Sequence, residues 1–251
     1  MINKILPAFF VLLISFGSCK VIEKNKTLNK KTEIIKISTS KGDMYIWLYD
    51  KTPLHKANFL KLAKEGFFNG TTFHRVMNQF MIQGGDPFSK DSTKSDQIGN
   101  GGPGYTIPAE FHKELYHKKG VLSAARQPDN INKERVSSGS QFYIVQGKKR
   151  NNNEFLYYTS NIRRATKDFK FEFSDSAKTD YMKIGGTPHL DMQYTVFGEV
   201  FSGLEVVDSI AIVPVNTQLN HRPLEDIRME VSVVKISLKD LKKKYNFEPK
   251  Y

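Results

Sequence analysis

The amino-acid sequence predicts an all-β fold, either a barrel or a sandwich. Three observations carry that expectation. Short apolar runs recur along the 251 residues, some with side chains alternating in period two, as strands require. Glycine-rich turns separate them. Only two segments, 53–65 and 204–212, carry clear helix signals, and pattern alone does not choose between barrel and sandwich.

Residues 33–40 and 43–50 read as strands joined at Lys41-Gly42, a two-residue hairpin signal. In the second, Met44, Ile46 and Leu48 face one way and Tyr45, Trp47 and Tyr49 the other. Both faces can be apolar if one lines a barrel interior and a helix covers the other. Thr52-Pro53 reads as an N-cap followed by proline in the first turn. That helix runs to about Glu65, where Gly66 ends it, with an apolar face of Leu54, Ala57, Leu60 or Phe59, and Leu62-Ala63. The stretch Phe73–Asp86, FHRVMNQFMIQGGD, begins as a strand and ends at a glycine pair. A polar loop, 89–100, leads into GNGGPGYTIPAEF. Residues 99–104 there satisfy G-x-G-x-x-G, but no apolar strand precedes them, and Pro103 and Pro108 would break the following helix, so a dinucleotide site is rejected. GVLSAAR (120–126) and SGSQFYIV (138–145) read as strands around a polar loop, 127–137.

Residues 149–186 differ in character, rich in asparagine and then in aromatics. Phe169, Phe171 and Phe173 alternate like a short strand, and Ser174–Ile184 reads as a capped helix stopped by Gly185. TPHLDMQYTVFGEV returns to strand character, 204–212 is a helix after Gly203, 229–238 is the last apolar strand, and 239–251 is a basic tail.

A net charge of +12 fits nucleic acid, an anionic membrane surface, or solubility alone. The lysines are spread out and thicken mainly at the two ends, which favours solubility, and no nucleic-acid partner is expected. The single cysteine, Cys19, excludes an internal disulfide. Residues 1–18 carry one early lysine, a short apolar run and a Gly17-Ser18 close, the make-up of a signal peptide rather than a membrane span. Phe-Gly-Ser-Cys resembles a bacterial lipoprotein box. That implies lipidation of Cys19 and an extracytoplasmic protein anchored to a bacterial membrane, periplasmic or at the cell surface; an ordinary signal peptide with a stray cysteine is the alternative. Residues 20–32 are polar and lysine-rich and read as a flexible tether.

The chemistry concentrates in Phe73–Asp86. It offers one cation (Arg75), two large apolar side chains (Phe80, Met81) and one amide (Gln83), with no nucleophile and no paired carboxylate. Such a site binds and polarises. The six histidines show no metal-ligand spacing and there is no G-x-S-x-G elbow, so neither metal nor cofactor is expected.

Five blocks, FHRVMNQFMIQGGD, GGPGYTIPAEF, GVLSAAR, SGSQFYIV and PHLDMQYTVFGEV, occur in that order. Together they strongly resemble a cyclophilin-type peptidyl-prolyl cis–trans isomerase over residues 33–238, apart from an insertion at about 149–186. The resemblance implies a closed eight-stranded antiparallel barrel capped by two α-helices. It also implies catalysis of X–Pro isomerisation in proline-containing polypeptides, here exported ones, by a monomer. The physics agrees. Rotation about X–Pro breaks amide resonance, a barrier of about 18–20 kcal/mol. The twisted prolyl nitrogen regains a lone pair, and a donor placed there stabilises the transition state and not the planar ground state.

By resemblance, Arg75 is that donor and Gln83 holds the substrate backbone and steadies it. Phe80 and Met81 match the floor of the proline pocket, Tyr143 and Leu190 its walls, and Gln141 a polar contact at its edge. Ala125-Arg126 match the edge where an extended peptide pairs. Four positions depart from the animal proteins, which carry phenylalanine at Tyr143, asparagine at Arg126, tryptophan at His189 and histidine at Tyr194. The hydroxyl of Tyr143 needs a partner or water, and loss of the tryptophan implies weakened cyclosporin inhibition with isomerase activity retained. His74 is read as structural. The insertion either extends the peptide groove or packs on the barrel as a satellite. Two rivals stand beside catalysis: a non-catalytic proline-peptide binding or chaperone module, and a basic protein binding anionic lipid or nucleic acid.

Overall fold

The structure, a computed structural model, describes residues 28–251. The expected signal peptide, Cys19 and the tether up to residue 27 lie outside the described residues. Among the described residues, 34–234 with 249–251 form one compact unit, and 28–33 with 235–248 belong to a second.

The chain opens on the hairpin β1 (Lys31–Thr39) and β2 (Gly42–Leu48), so strand begins inside the stretch expected to be tether. Thr39 pairs with Gly42, which makes Ser40-Lys41 the turn, one residue earlier than expected. Gly42 is instead a pairing residue at φ 126°, where a Cβ would lie 2.9 Å from Val206. Helix α1 (Pro53–Lys64) follows, then the hairpin β3 (Arg75–Met77) and β4 (Met81–Gly84). Next come β5 (Thr106–Ile107), β6 (Val121–Ala124), β7 (Ser137–Ser138) and β8 (Phe142–Val145). Helices α2 (Glu154–Thr166) and α3 (Asp175–Lys183) form the insertion. The chain ends with β9 (Val196–Ser202), α4 (Leu204–Ala211), β10 (Val215–Asn216), β11 (Arg222–Pro223), β12 (Met229–Ser237) and α5 (Leu238–Tyr245).

Eight strands make one sheet in the order β12-β1-β2-β9-β6-β8-β4-β3. At its ends, Phe73 N donates to Ile227 O (3.0 Å) and Met229 N to Thr71 O (2.8 Å), and Thr72 bridges Arg228. These bonds tie the chain entering β3 to the chain entering β12. The interior is aliphatic, with Ile37, Ile46, Ile82, Leu122 and Ile144 at 0% exposure, closed by an aromatic stack of Phe59 on Phe68 (4.7 Å) and Phe142 (5.4 Å).

α1 buries Phe59 and Leu62-Ala63 of the expected face, with His55 in place of Leu54 and Ala57, which face solvent. Counting His55 as polar hid its place in this face. Its ring is buried because the Glu110 carboxylate accepts from Nδ1 (2.7 Å) and from the main-chain N–H groups of Leu54 (3.1 Å) and His55 (3.0 Å). Glu110 therefore caps the helix, and Thr52 occupies the cap position without making the cap bond. Both faces of β2 are buried as expected. The outer one is covered by Tyr251, which accepts from Trp47 Nε1 (3.0 Å) and stands edge-on to Tyr49, and by Lys56 of α1 over the Trp47 ring.

Residues 149–186 are mainly helical. No strand forms at 169–173: Phe171 and Phe173 turn into a local core and Phe169 stays exposed. The capped helix at 175–183 forms, with Ser174 accepting from Ala177 N (3.2 Å). α2 was not expected, although Phe155, Tyr158 and Ile162 carry helical spacing and are buried together. The basic tail likewise contains a helix, α5, capped by Ser237. The ends of the insertion meet where Lys148 bridges Gly186. A Cβ on Gly186 would stand 2.3 Å from the His117 carbonyl oxygen, so only glycine allows that closure.

Candidate active site

The register of the sheet assembles the site. β3–β4 places Arg75 opposite Gln83, β4–β8 places Gln83 opposite Tyr143, and β6–β8 places Tyr143 opposite Ser123. Directly paired residues share a face. One step along, Val76, Ile82, Ile144 and Leu122 form the parallel row that points into the core. The period-two alternation thus buries one row and presents Arg75, Gln83 and Tyr143 of the other to a cleft, while Ser123 at its end stays buried.

That cleft measures about 180 Å³ and is lined by Arg75, Phe80, Met81, Gln83, Ala125, Arg126, Tyr143, Leu190 and Tyr194, nine of the residues singled out in the sequence. His74, Gly99 and Asn220 complete it. Gly99 was marked in the sequence only as the start of the rejected G-x-G-x-x-G match, and no signal marked Asn220. Each sits at positive φ in a loop, brought to the cleft by tertiary structure.

Arg75 Nη1 donates to Gln83 Oε1 (3.4 Å) and Nη2 approaches Met77 Sδ (3.1 Å), and no carboxylate among the described residues pairs with it. Burial lowers its pKa, yet a guanidinium remains cationic at neutral pH. Gln83 Nε2 donates to Gln141 Oε1 (3.1 Å), and Gln141 Nε2 donates to the carbonyls of Gly99 (2.9 Å) and Gly101 (2.8 Å). Gln141 therefore lines not the cleft but an adjoining groove of about 770 Å³, whose wall is the glycine-rich loop. The Asp86 carboxylate holds that loop too, accepting from Gly99 N (2.5 Å) and Gly101 N (3.0 Å).

Ala125 has no main-chain group to offer a peptide, since its N–H bonds Gln141 O (2.9 Å) and its carbonyl accepts from Ser138 N (2.8 Å). Among the described residues, none is hydrogen-bonded to the main chain of Arg126. Its guanidinium stacks 4.4 Å from the Tyr194 ring centre and bonds Gln193 O (2.8 Å) and Asp129 (2.6 Å), so the side chain is fixed along the rim. The hydroxyl of Tyr143 has its partner in His117 Nε2 (3.0 Å). His189 does not line the cleft. Its ring stacks behind Phe80 (5.7 Å, 26°) with Tyr158 of α2 beyond it (6.4 Å), and burial pushes it down to about 4. Burial also holds His74 at about 4, which leaves it neutral and unsuited to general-acid work.

Fold and cleft define a class: a protein built on an eight-stranded sheet whose cleft, of mixed polar and apolar lining, carries a guanidinium with no carboxylate partner among the described residues, beside an amide. Residues 34–234 match the family model of the cyclophilin type peptidyl-prolyl cis-trans isomerases, and the chain belongs to that family. A Staphylococcus saprophyticus protein named as a peptidyl-prolyl cis-trans isomerase is 33% identical over 82% of this chain and 93% of its own length. A Streptococcus pyogenes protein named as a bifunctional phosphatase and peptidyl-prolyl cis-trans isomerase is 38% identical over 78% of this chain, which spans only 37% of that relative. The crystal structure of a Cryptosporidium parvum cyclophilin type isomerase matches with a TM-score of 0.57 at 25% identity, over 83% of this chain and 99% of that one. The same protein determined in the presence of the dipeptide Ala-Pro matches with a TM-score of 0.55 over 81% of this chain and 99% of that one. Peptidyl-prolyl isomerisation is the activity these findings support.

Proposed function

We propose that the chain accelerates X–Pro isomerisation in exported polypeptides, with Arg75 as the donor to the twisted prolyl nitrogen. The carrying observation is the Arg75 guanidinium, half-buried at a cleft that also holds Phe80, Met81 and Leu190, with no carboxylate among the described residues to neutralise it. A preorganised charge acts most strongly where water is excluded. The prolyl ring sits on Phe80 and Met81, between Tyr143 and Leu190. The peptide runs along Arg126, and Gln83 holds the carbonyl before proline while steadying Arg75. The groove beside Gln141 receives flanking residues. The eight strands close into a barrel, a reading supported by the bonds from Phe73 and Met229.

Export and anchoring rest on residues 1–19 alone: a signal peptide, a lipid on Cys19 and a tether that carries a monomeric domain away from a bacterial membrane. X–Pro exchange is a slow folding step, which gives such an enzyme work outside the cytoplasm. NMR exchange spectroscopy on a short Ala-Pro peptide tests the catalytic assignment. The wild-type chain should accelerate exchange, and Arg75→Ala should lower the acceleration about 10²–10³-fold, the usual loss for one such donor. Equal acceleration by the variant would remove Arg75 from this role.

A further inference from the structure

We infer that a buried relay, Tyr181–Asp191–His117–Tyr143, positions the wall of the proline cleft and makes the 149–186 insertion part of the machinery that holds the site. The inference rests on the reading of the cleft as the proline site. It differs from a groove extension, because neither cleft is lined by any residue of 149–186.

Donor and acceptor roles follow from the contacts. Asp191 is 3% exposed. Its Oδ2 accepts from the Tyr181 hydroxyl (2.7 Å), and its Oδ1 from the His117 main-chain N–H (2.8 Å). Burial raises the Tyr181 pKa well above the ordinary value, so that hydroxyl keeps its proton. With both oxygens accepting, His117 Nδ1, 2.8 Å from Oδ1, is a donor. Ser123 Oγ donates to Thr195 O (2.8 Å). The other ring nitrogen, Nε2, is hydrogen-bonded to the Tyr143 hydroxyl at 3.0 Å.

Asp191, His117 and Ser123 together have the make-up of a hydrolytic triad, but His117 and Ser123 are each 0% exposed, and no substrate can reach them. Their arrangement instead fixes an aromatic ring. Tyr143 is stacked near-parallel to His117 (14°) and stands edge-on to Tyr194 (80°), another lining residue. Pinning its hydroxyl removes the rocking freedom an unanchored ring would have, and catalytic sites need walls held to within about half an ångström.

The far end of the relay is the insertion. Tyr181 sits in α3 inside the insertion's own core, against Phe155 (6.2 Å) and Phe173 (6.0 Å), and is 0% exposed. Where the insertion closes, Thr187 N donates to His117 O (2.9 Å), so its exit is bonded to the relay histidine itself. A second route runs in parallel through Tyr158, His189 and Phe80, and backs the floor of the cleft. Tyr181, Asp191 and His117 touch no substrate and act through Tyr143.

A double-mutant cycle on the full chain tests the relay. Tyr143→Phe, Tyr181→Phe and the double variant keep ring volume and remove only hydroxyls, and melting curves confirm that each is folded at the assay temperature. Tyr181→Phe should lower kcat/KM in prolyl exchange about fivefold, a fraction of the worth of its charge-assisted bond to Asp191, because only the positioning of Tyr143 reaches the reaction. The loss should fall mainly in kcat and shrink towards nothing in the Tyr143→Phe background, because coupled sites are non-additive. A lowered Tm with kcat/KM unchanged, or the same fold-loss in both backgrounds, would overturn the relay. Arg75→Ala run alongside separates the two readings. Loss there with an unaffected Tyr181→Phe overturns the relay alone, and no loss there overturns the site on which it rests.

Discussion

Arg75 is held as a donor would be and not as a structural ion. A surface arginine gains little from a carboxylate partner, and this one has none among the described residues; its bonds to Gln83 and Met77 direct it along the cleft. Arg75, Phe80, Met81, Gln83, Tyr143 and Leu190 were legible in the sequence because the blocks occur in order; register puts Arg75, Met81, Gln83 and Tyr143 on one face, while Phe80 comes from the β3–β4 turn and Leu190 from a 3-10 turn. His189 was named but misplaced. Its position before Leu190 matches a lining residue, yet the ring turns under Phe80, towards an insertion whose fold the local sequence did not reveal. That placement bears on inhibition. With no indole at the rim, cyclosporin should inhibit the purified chain weakly while peptide exchange persists, and nanomolar inhibition would contradict the placement.

The elements were legible where periodicity was clean. β1, β2, β12, α1 and α4 fall close to their expected ranges. α2 was lost behind an asparagine run, and α5 behind a lysine-rich composition that lowers apparent order without lowering helix propensity, since lysine is a good helix former. Phe169, Phe171 and Phe173 alternate, but alternation over so short a run does not distinguish a strand from an extended connection. Caps supplied from afar cannot be read locally either. Glu110 lies 55 residues from His55 and satisfies three donors at the start of α1. Glu110→Ala should therefore cost about 1–3 kcal/mol, with a Tm lower by a few degrees per kcal/mol. Thr52→Ala removes no cap bond and should cost less. Equal losses in thermal melts would mean that Thr52 carries the cap.

At the scale of the whole molecule, acid sensitivity follows from two buried rings. His74 and His189 lie at about 4, below an ordinary histidine value of about 6.5. Burial is the leading cause at both, joined at His189 by the nearby His117 and then Arg150. Between those values the unfolded chain binds protons that the folded chain refuses. The associated stability is present above about pH 6.5 and is lost as pH falls towards about 4. Melting temperature should decline across that window, and His189→Phe should flatten the decline. An equally steep decline in the variant would place the sensitivity elsewhere. The same scale sets the enzyme's economy of means: one sheet supplies the row of site residues, and the insertion supports that row from behind through Tyr181 and Tyr158.

In the proposed mechanism Arg75 favours the twisted prolyl bond over the planar one. The most direct measurement pairs two quantities for wild type and Arg75→Ala: the affinity for an Ala-Pro peptide, and the catalysed exchange rate of that bound peptide by NMR. Affinity should change by less than about threefold while exchange falls about 10²–10³-fold, because the interaction is made chiefly in the transition state. Loss of affinity with the bound exchange rate intact would contradict this account and make Arg75 a ground-state binding residue.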